Sequence, residues 1–333
     1  MYQANPKRYQ HMEYRRTGHS GLLLPALSFG LWHNFGEKTE FSQMQNLIYT
    51  AFDHGITHFD LANNYGPQPG AAETNFGRIL HQDLKNYRDQ LIISTKAGYE
   101  MWDGPYGNWG SRKSLLSSLD QSLHRMQLDY VDIFYHHRMD PQTPLEESML
   151  ALAQAVKSGK ALYIGLSNYD GPTLQRATEI LDDLHVPFII NQNRYNLLDR
   201  TVEKNELLAT GSQLKKGLIT FSPLAQGQLT NRYLDGIPQD SRIGNDPRFL
   251  NATMLTPQKL AAIQKLNTMA TERGITLAEM ALKWLLQKPE VTSVLVGSSK
   301  PDQIIDNIGV LALDNLTSAE LDQIDQIIKP ILN

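Results

Sequence analysis

Four residue types that can jointly move a proton stand near the ends of short apolar runs in this chain. FDLANNYG carries Asp60 and Tyr65, LIISTKA carries Lys96, and VDIFYHHR carries the doublet His136–His137 followed by Arg138. A tyrosine phenol, with an ordinary pKa of about 10, does not give up its proton readily near neutrality. A lysine ammonium within about 4 Å, at an effective dielectric of about 20, favours the phenolate by about 4 kcal/mol before desolvation, or about three pKa units. An imidazole can supply a second contact. Acid, phenol, amine and imidazole grouped in this way make a proton donor for a carbonyl that is becoming an alkoxide. Asp60 and Lys96 alone could equally be a structural ion pair. The neighbouring tyrosine and histidine turn the reading towards chemistry.

For these residues to meet, the runs that carry them must be neighbours. Eight such runs are spread along the chain: 26–32, 56–62, 91–97, 131–137, 161–167, 188–194, 218–224 and 293–299. Between them lie longer stretches of helical periodicity, such as SRKSLLSSLDQSLHRM, in which Leu115, Leu119, Leu123 and Met126 share one face. Ser111 reads as an N-cap, and Gly159 and Gly274 read as helix-ending residues. Continuous apolar strands alternating with amphipathic helices predict a parallel sheet covered by helices. Eight units favour a closed (β/α)₈ barrel of the TIM type, occupying residues 1–333 as one domain. The alternative, an open doubly wound sheet, lacks its usual G-x-G-x-x-G after the first strand. MEYRRTGHSGLLLPAL reads as an N-terminal β-hairpin closing the lower end, and KPDQIIDNIGVL and TSAELDQIDQIIK as two additional C-terminal helices. In such a barrel the C-terminal strand ends form the active site, where the polar set above falls, together with Ser167, Asn168, Gln192, Ser222 and Gly297–Ser299.

Composition narrows the function. Lys plus Arg is 31 and Asp plus Glu is 35, a formal charge of −4, so nothing argues for nucleic acid or an anionic membrane as partner. Cys is zero, which excludes disulfides, thiolate metal sites and a cysteine nucleophile. No apolar run reaches a membrane span, and the polar start lacks a signal peptide's apolar region. The expectation is a cytoplasmic protein. A metal at the histidine doublet is disfavoured, because adjacent strand residues point to opposite faces and no partner histidines show ligand spacing. Hydrolysis by paired carboxylates is disfavoured too, since one acidic residue stands clearly at a strand end.

GLWHNFG, FDLANNYGP with AAETNFGRIL, IISTKAGY, YVDIFYHHR, GKALYIGLSNY, FSPLAQGQLT and VTSVLVGSSKPDQIIDNI together resemble the aldo-keto reductase superfamily, in order and over nearly the whole chain. The branch that looks nearest holds bacterial L-glyceraldehyde 3-phosphate reductases, themselves similar to potassium-channel β-subunits. The resemblance implies a catalytic tetrad of Asp60, Tyr65, Lys96 and His137, the histidine being the one that precedes the arginine. It implies NADPH/NADP+ lying extended across the barrel mouth. Gly30, Leu31 and Trp32 would stand with Asp60 near the nicotinamide, and Ser167, Asn168 and Gln192 would hold its carboxamide. Phe221 would stack on the ring. Ser222, Pro223, Leu224, Gln226 and Gly227 would approach the pyrophosphate, with Arg232 and Arg242 near the phosphates. Gly297, Ser299, Lys300, Gln303, Asp306 and Asn307 would surround the adenosine end.

The implied substrate is a small aldehyde, L-glyceraldehyde 3-phosphate or methylglyoxal-like. Trp32, His33, Tyr65, Trp102, His137 and Arg138 are expected around it, because aromatics crowd the mouth loops and the cationic groups suit a polar substrate end. The resemblance also implies a homo-oligomer, tetramer or octamer. The rival reading is a cofactor-binding regulatory subunit that senses redox state, in the manner of the channel β-subunits.

Overall fold

A computed structural model describes residues 2–66, 68–234, 236 and 255–332. Strands β1 (Tyr14–Arg16) and β2 (Leu23–Pro25) form the antiparallel hairpin. Eight parallel strands then close a barrel: β3 (Leu27–Gly30), β4 (His58–Asp60), β5 (Ile92–Ala97), β6 (Val131–His136), β7 (Ala161–Ser167), β8 (Phe188–Arg194), β9 (Gly217–Phe221) and β10 (Val291–Val296), with β10 pairing β3. Every expected run contributes one strand. Several strands are shorter than the runs, because residues such as Trp32 and His137 already belong to the mouth loops.

The helices around the barrel are α1 (Phe41–Asp53), α2 (Ala71–Ile79), α3 (Arg112–Met126), α4 (Leu145–Lys157), α5 (Gly171–Asp183), α6 (Thr201–Lys204), α7 (Leu207–Gln213), α8 (Pro257–Glu272), α9 (Leu277–Leu286) and the two C-terminal helices, α10 (Pro301–Gly309) and α11 (Ser318–Ile328). The local signals act as their chemistry dictates. The Ser111 hydroxyl accepts from the Ser114 N–H at the start of α3, and Gly159 and Gly274 follow α4 and α8 with positive φ. The stretch VEKNELLATGSQL forms two short helices rather than one. Glu206 adopts φ 64, which breaks the helical path, and the Asn205 carbonyl is taken by the Gly171 N–H.

Strand alternation divides the core in two. Phe29 and Phe59 point outward into the layer that receives Leu115, Leu119 and Met126 of α3. Leu24 of the hairpin, Ile133, Tyr135, Ile190, Ile219 and Leu295 fill a separate interior cluster. Gly165 on β7 makes room for the Tyr135 ring, since a Cβ there would lie 2.2 Å from it. Parallel register sets the upper residues at matching heights: Gly30 opposite Asp60, Asp60 opposite Ser94, Lys96 opposite Tyr135 and Ser167 opposite Gln192. Among the described residues, no helix is long and apolar enough to cross a membrane.

Candidate active site

Strand β4 ends on Asp60 and β5 presents Lys96 beside it, both fully buried. The Lys96 ammonium donates to Asp60 Oδ2 (2.5 Å), to the Leu61 carbonyl (2.6 Å) and to the Tyr65 phenol oxygen (3.3 Å). The carboxylate's other oxygen accepts from Ser94 Oγ (2.7 Å) and Gln192 Nε2 (3.1 Å). Tyr65 arrives from the loop after β4, and its ring meets the His137 ring edge-on at 5.8 Å between centroids. The four side chains expected to act together therefore converge, with Asp60 and Lys96 below and Tyr65 and His137 on the wall of a cleft of about 2140 Å³.

The histidine doublet separates as alternation requires. His137 lines the cleft, whereas His136 turns outward and shares a hydrogen bond with the Tyr169 hydroxyl (2.7 Å). Its ring packs over Gly110, where a Cβ would lie 2.6 Å from Nε2.

Burial governs the ionisations. Burial, then Lys96, then His136 and Arg138, hold His137 far below the ordinary imidazole range, so it is neutral. Burial lowers the Lys96 pKa, and Asp60 opposes the fall. The Tyr65 phenol departs from expectation. Burial, and after it Asp60, push it well above its ordinary value rather than below. The carboxylate sits so close to the ammonium that the lysine does not act on the phenol as an isolated positive charge.

Of the residues expected around the cofactor, Gly30, Trp32, Asn168, Gln192 and Phe221 line the cleft near these four. Ser222, Pro223, Leu224, Gln226, Gly227 and Arg232 line the same cleft, as do Gly297, Ser299, Gln303, Asp306 and Asn307. His33 also stands on the wall. Lys300 is exposed at the N-cap of α10, beside the wall, where the Gln303 side chain accepts from the Ser299 and Lys300 N–H groups (2.9 and 3.3 Å). Arg242 lies outside the described residues.

Four expected residues lie off the cleft wall. Leu31 is buried outside the barrel, because it follows the inward-facing Gly30, and only its N–H bonds Asp60 through the backbone (3.0 Å). Ser167 is buried behind Asn168, whose amide donates to it (3.2 Å) and to the His137 carbonyl (2.9 Å). Trp102 is off the cleft wall and folds onto Gly107 of its own loop. Arg138 is likewise off the wall. It donates to the Gly98 carbonyl (3.0 Å) and to Asn108 Oδ1 (2.8 Å), and lies 3.6 Å from the Trp109 ring centroid.

The sequence reading missed other wall residues. Tyr99, whose ring is 4.6 Å from that of His137, occupies the place expected of Trp102. Arg194 ends β8 and reaches over Phe221, and a charged residue at a strand end was the available signal. The segment Gly274–Glu279, which joins α8 to α9 and includes the first turn of α9, carries no such signal.

The barrel and its mouth place the chain in a known class. It belongs to the aldo/keto reductase family, whose profile matches residues 26–329, and is an oxidoreductase. It is 57% identical over 328 residues to an L-glyceraldehyde 3-phosphate reductase of Escherichia coli (strain K12), covering 97% of this chain and 94% of the relative. It is 35% identical over 324 residues to a probable voltage-gated potassium channel subunit beta of Arabidopsis thaliana, with 96% and 97% covered.

Proposed function

We propose that the protein reduces small aldehydes with NADPH, taking L-glyceraldehyde 3-phosphate or methylglyoxal-like substrates, and that Tyr65 gives the proton. The observation that carries this is the Tyr65 hydroxyl on the cleft wall, 3.3 Å from an ammonium that Asp60 holds at 2.5 Å. Similarity to the Escherichia coli reductase supports the substrate class.

The residues fit the cofactor. Asn168 and Gln192 have their N–H groups engaged by the His137 carbonyl and by Asp60, which leaves their amide oxygens to accept from a carboxamide. Half-buried Phe221 offers a ring face, and a cleft of about 2140 Å³ has volume enough for a dinucleotide and a small substrate together. Ser299, Lys300 and Gln303 stand at the start of α10, where the Lys300 charge and the positive end of the helix dipole favour a phosphate. Arg232 also lines the cleft.

When bound, NADPH supplies a hydride. Tyr65, kept protonated by burial, donates to the carbonyl oxygen as negative charge grows on it. Lys96, already directed at the phenol oxygen, stabilises the phenolate left behind. Neutral His137 holds the carbonyl at the wall opposite. The reading as a regulatory subunit draws on the channel-subunit relative, but His137 set against Tyr65 favours turnover. The absence of Cys suits work in the reducing cytoplasm, as one barrel domain over residues 1–333.

A panel of small aldehydes with NADPH and with NADH, followed at the nicotinamide absorbance, tests the reading. Turnover of a three-carbon aldehyde with NADPH supports it. A stable spectrum with every aldehyde would favour the sensor.

A further inference from the structure

Beneath the Asp60–Lys96 pair the barrel interior holds a column of polar groups that the proton-donating site does not itself explain. Ser293 Oγ lies 2.6 Å from the Pro25 carbonyl oxygen and 2.7 Å from Ser28 Oγ. Ser28 Oγ is 2.8 Å from His58 Nδ1, His58 Nε2 is 2.9 Å from Ser94 Oγ, and Ser94 Oγ is 2.7 Å from Asp60 Oδ1. His58, Ser28, Ser94, Ser293 and Asp60 are all fully buried.

These five contacts need five protons. The three serine hydroxyls bring one each and a neutral imidazole brings one, so one contact lacks a proton. The His58 ring is the neutral form, since burial brings it down to about 4, with Lys96 helping and Asp60 opposing. Asp60 and Lys96 are the charged groups that act on it.

The tautomer of His58 decides where the gap falls. With the proton on Nδ1, Ser94 has one hydroxyl proton for two acceptors, Nε2 and the Asp60 carboxylate, so the gap falls at Ser94 itself. With the proton on Nε2, the ring donates to Ser94, Ser94 donates to Asp60, and the gap moves to the floor, among Ser28, Ser293 and the Pro25 carbonyl. In the Nε2–H form Ser94 accepts from the ring while it donates to an ionised acceptor, and hydrogen bonds chained in this way polarise and strengthen one another. The gap therefore costs least at the floor.

We propose that His58 is a positioning residue for the proton donor: its Nε2–H fixes Ser94 as a donor to Asp60, which holds the carboxylate in place and keeps Lys96 directed at Tyr65. This rests on the reading of Tyr65, Lys96 and Asp60 as the proton-donating group. Neither the ring nor the two floor serines touches the cleft, so the column acts from below, through the carboxylate.

Neutron diffraction from crystals of perdeuterated wild-type protein reads the tautomer without any activity assay. The expected result is deuterium on Nε2 alone, with the Ser94 deuteron aimed at Asp60. Deuterium on Nδ1, or on both nitrogens at neutral pH, overturns the proposal even if the aldehyde reading stands. If turnover of aldehydes fails while Nε2 carries the deuterium, the reductase reading fails and the tautomer assignment stands. The second arm is the pH profile of kcat/KM in Ser94→Ala. Removing a hydrogen bond that favours the charged form of the proton-donating site should move the acid limb up by about one to two pH units. An unmoved limb in folded Ser94→Ala also overturns the proposal; if that variant does not fold, the deuterium position decides alone.

Discussion

Replacing Asp60 with Asn removes the counter-charge 2.5 Å from an ammonium with no exposure to solvent. The loss is not cushioned by the amide. Its oxygen can face Lys96, but its NH₂ then meets Gln192 Nε2, a second donor, 3.1 Å from the oxygen it replaces. Breaking one side of a buried ion pair costs about 3–5 kcal/mol. If Lys96 answers by releasing its proton, that corresponds to a further fall of about two to four pKa units in a group burial already depresses. Two opposite trends then follow from one proton. Unfolded lysine keeps its proton to higher pH than the folded variant does, so the unfolded state binds more protons and stability rises with pH. Activity moves the other way, because turnover needs the ammonium, and the basic limb of kcat/KM shifts down by about two units or more. Melting by calorimetry should show a deficit of about 4–7 °C at neutral pH that narrows towards pH 10. Lys96→Met should be inactive at every pH, and the double variant Asp60→Asn with Lys96→Met should melt above Lys96→Met alone. Parallel pH trends of activity and stability in Asp60→Asn, or strictly additive losses in the double variant, would refute the reasoning.

The two histidines should part company. His137→Asn should lower aldehyde turnover by at least tenfold with a near-native melting temperature. His136→Ser should keep turnover but lose about 2–5 kcal/mol of stability in denaturant melts, through the cavity beside Gly110 and Tyr169. Lys300→Glu should weaken NADPH binding by tenfold or more and leave NADH binding within about twofold, as read by fluorescence titration; equal losses would remove the 2′-phosphate role.

How much of this was legible in the residues follows from what sequence periodicity encodes. The closed barrel was legible, because eight apolar runs separated by amphipathic helices leave few alternatives and each run became a strand. Asp60, Lys96 and His137 were legible for the same reason, since strand ends define the mouth. Leu31 was legible in principle: once Gly30 faces inward, its neighbour must face outward. Arg138, Trp102 and Tyr99 were not, because a residue past a strand end loses the alternation that fixes its direction. The wall segment Gly274–Glu279 comes from the α8–α9 connection and the first turn of α9, remote in sequence from every strand end. The sign of the Tyr65 shift was missed because the Asp60–Lys96 distance and the burial of the phenol are tertiary quantities. The column through His58 was visible only as alternate polar residues in apolar strands; the register that stacks them across strands appears only in the fold.

The account stands or falls on Tyr65 as the proton donor. Single-turnover reduction of L-glyceraldehyde 3-phosphate, read as loss of NADPH absorbance after mixing with the preformed cofactor complex, compares wild type with Tyr65→Phe. The account predicts a rate lower by about 10² to 10⁴ in the variant, with cofactor affinity unchanged. A variant rate above one tenth of wild type would contradict it.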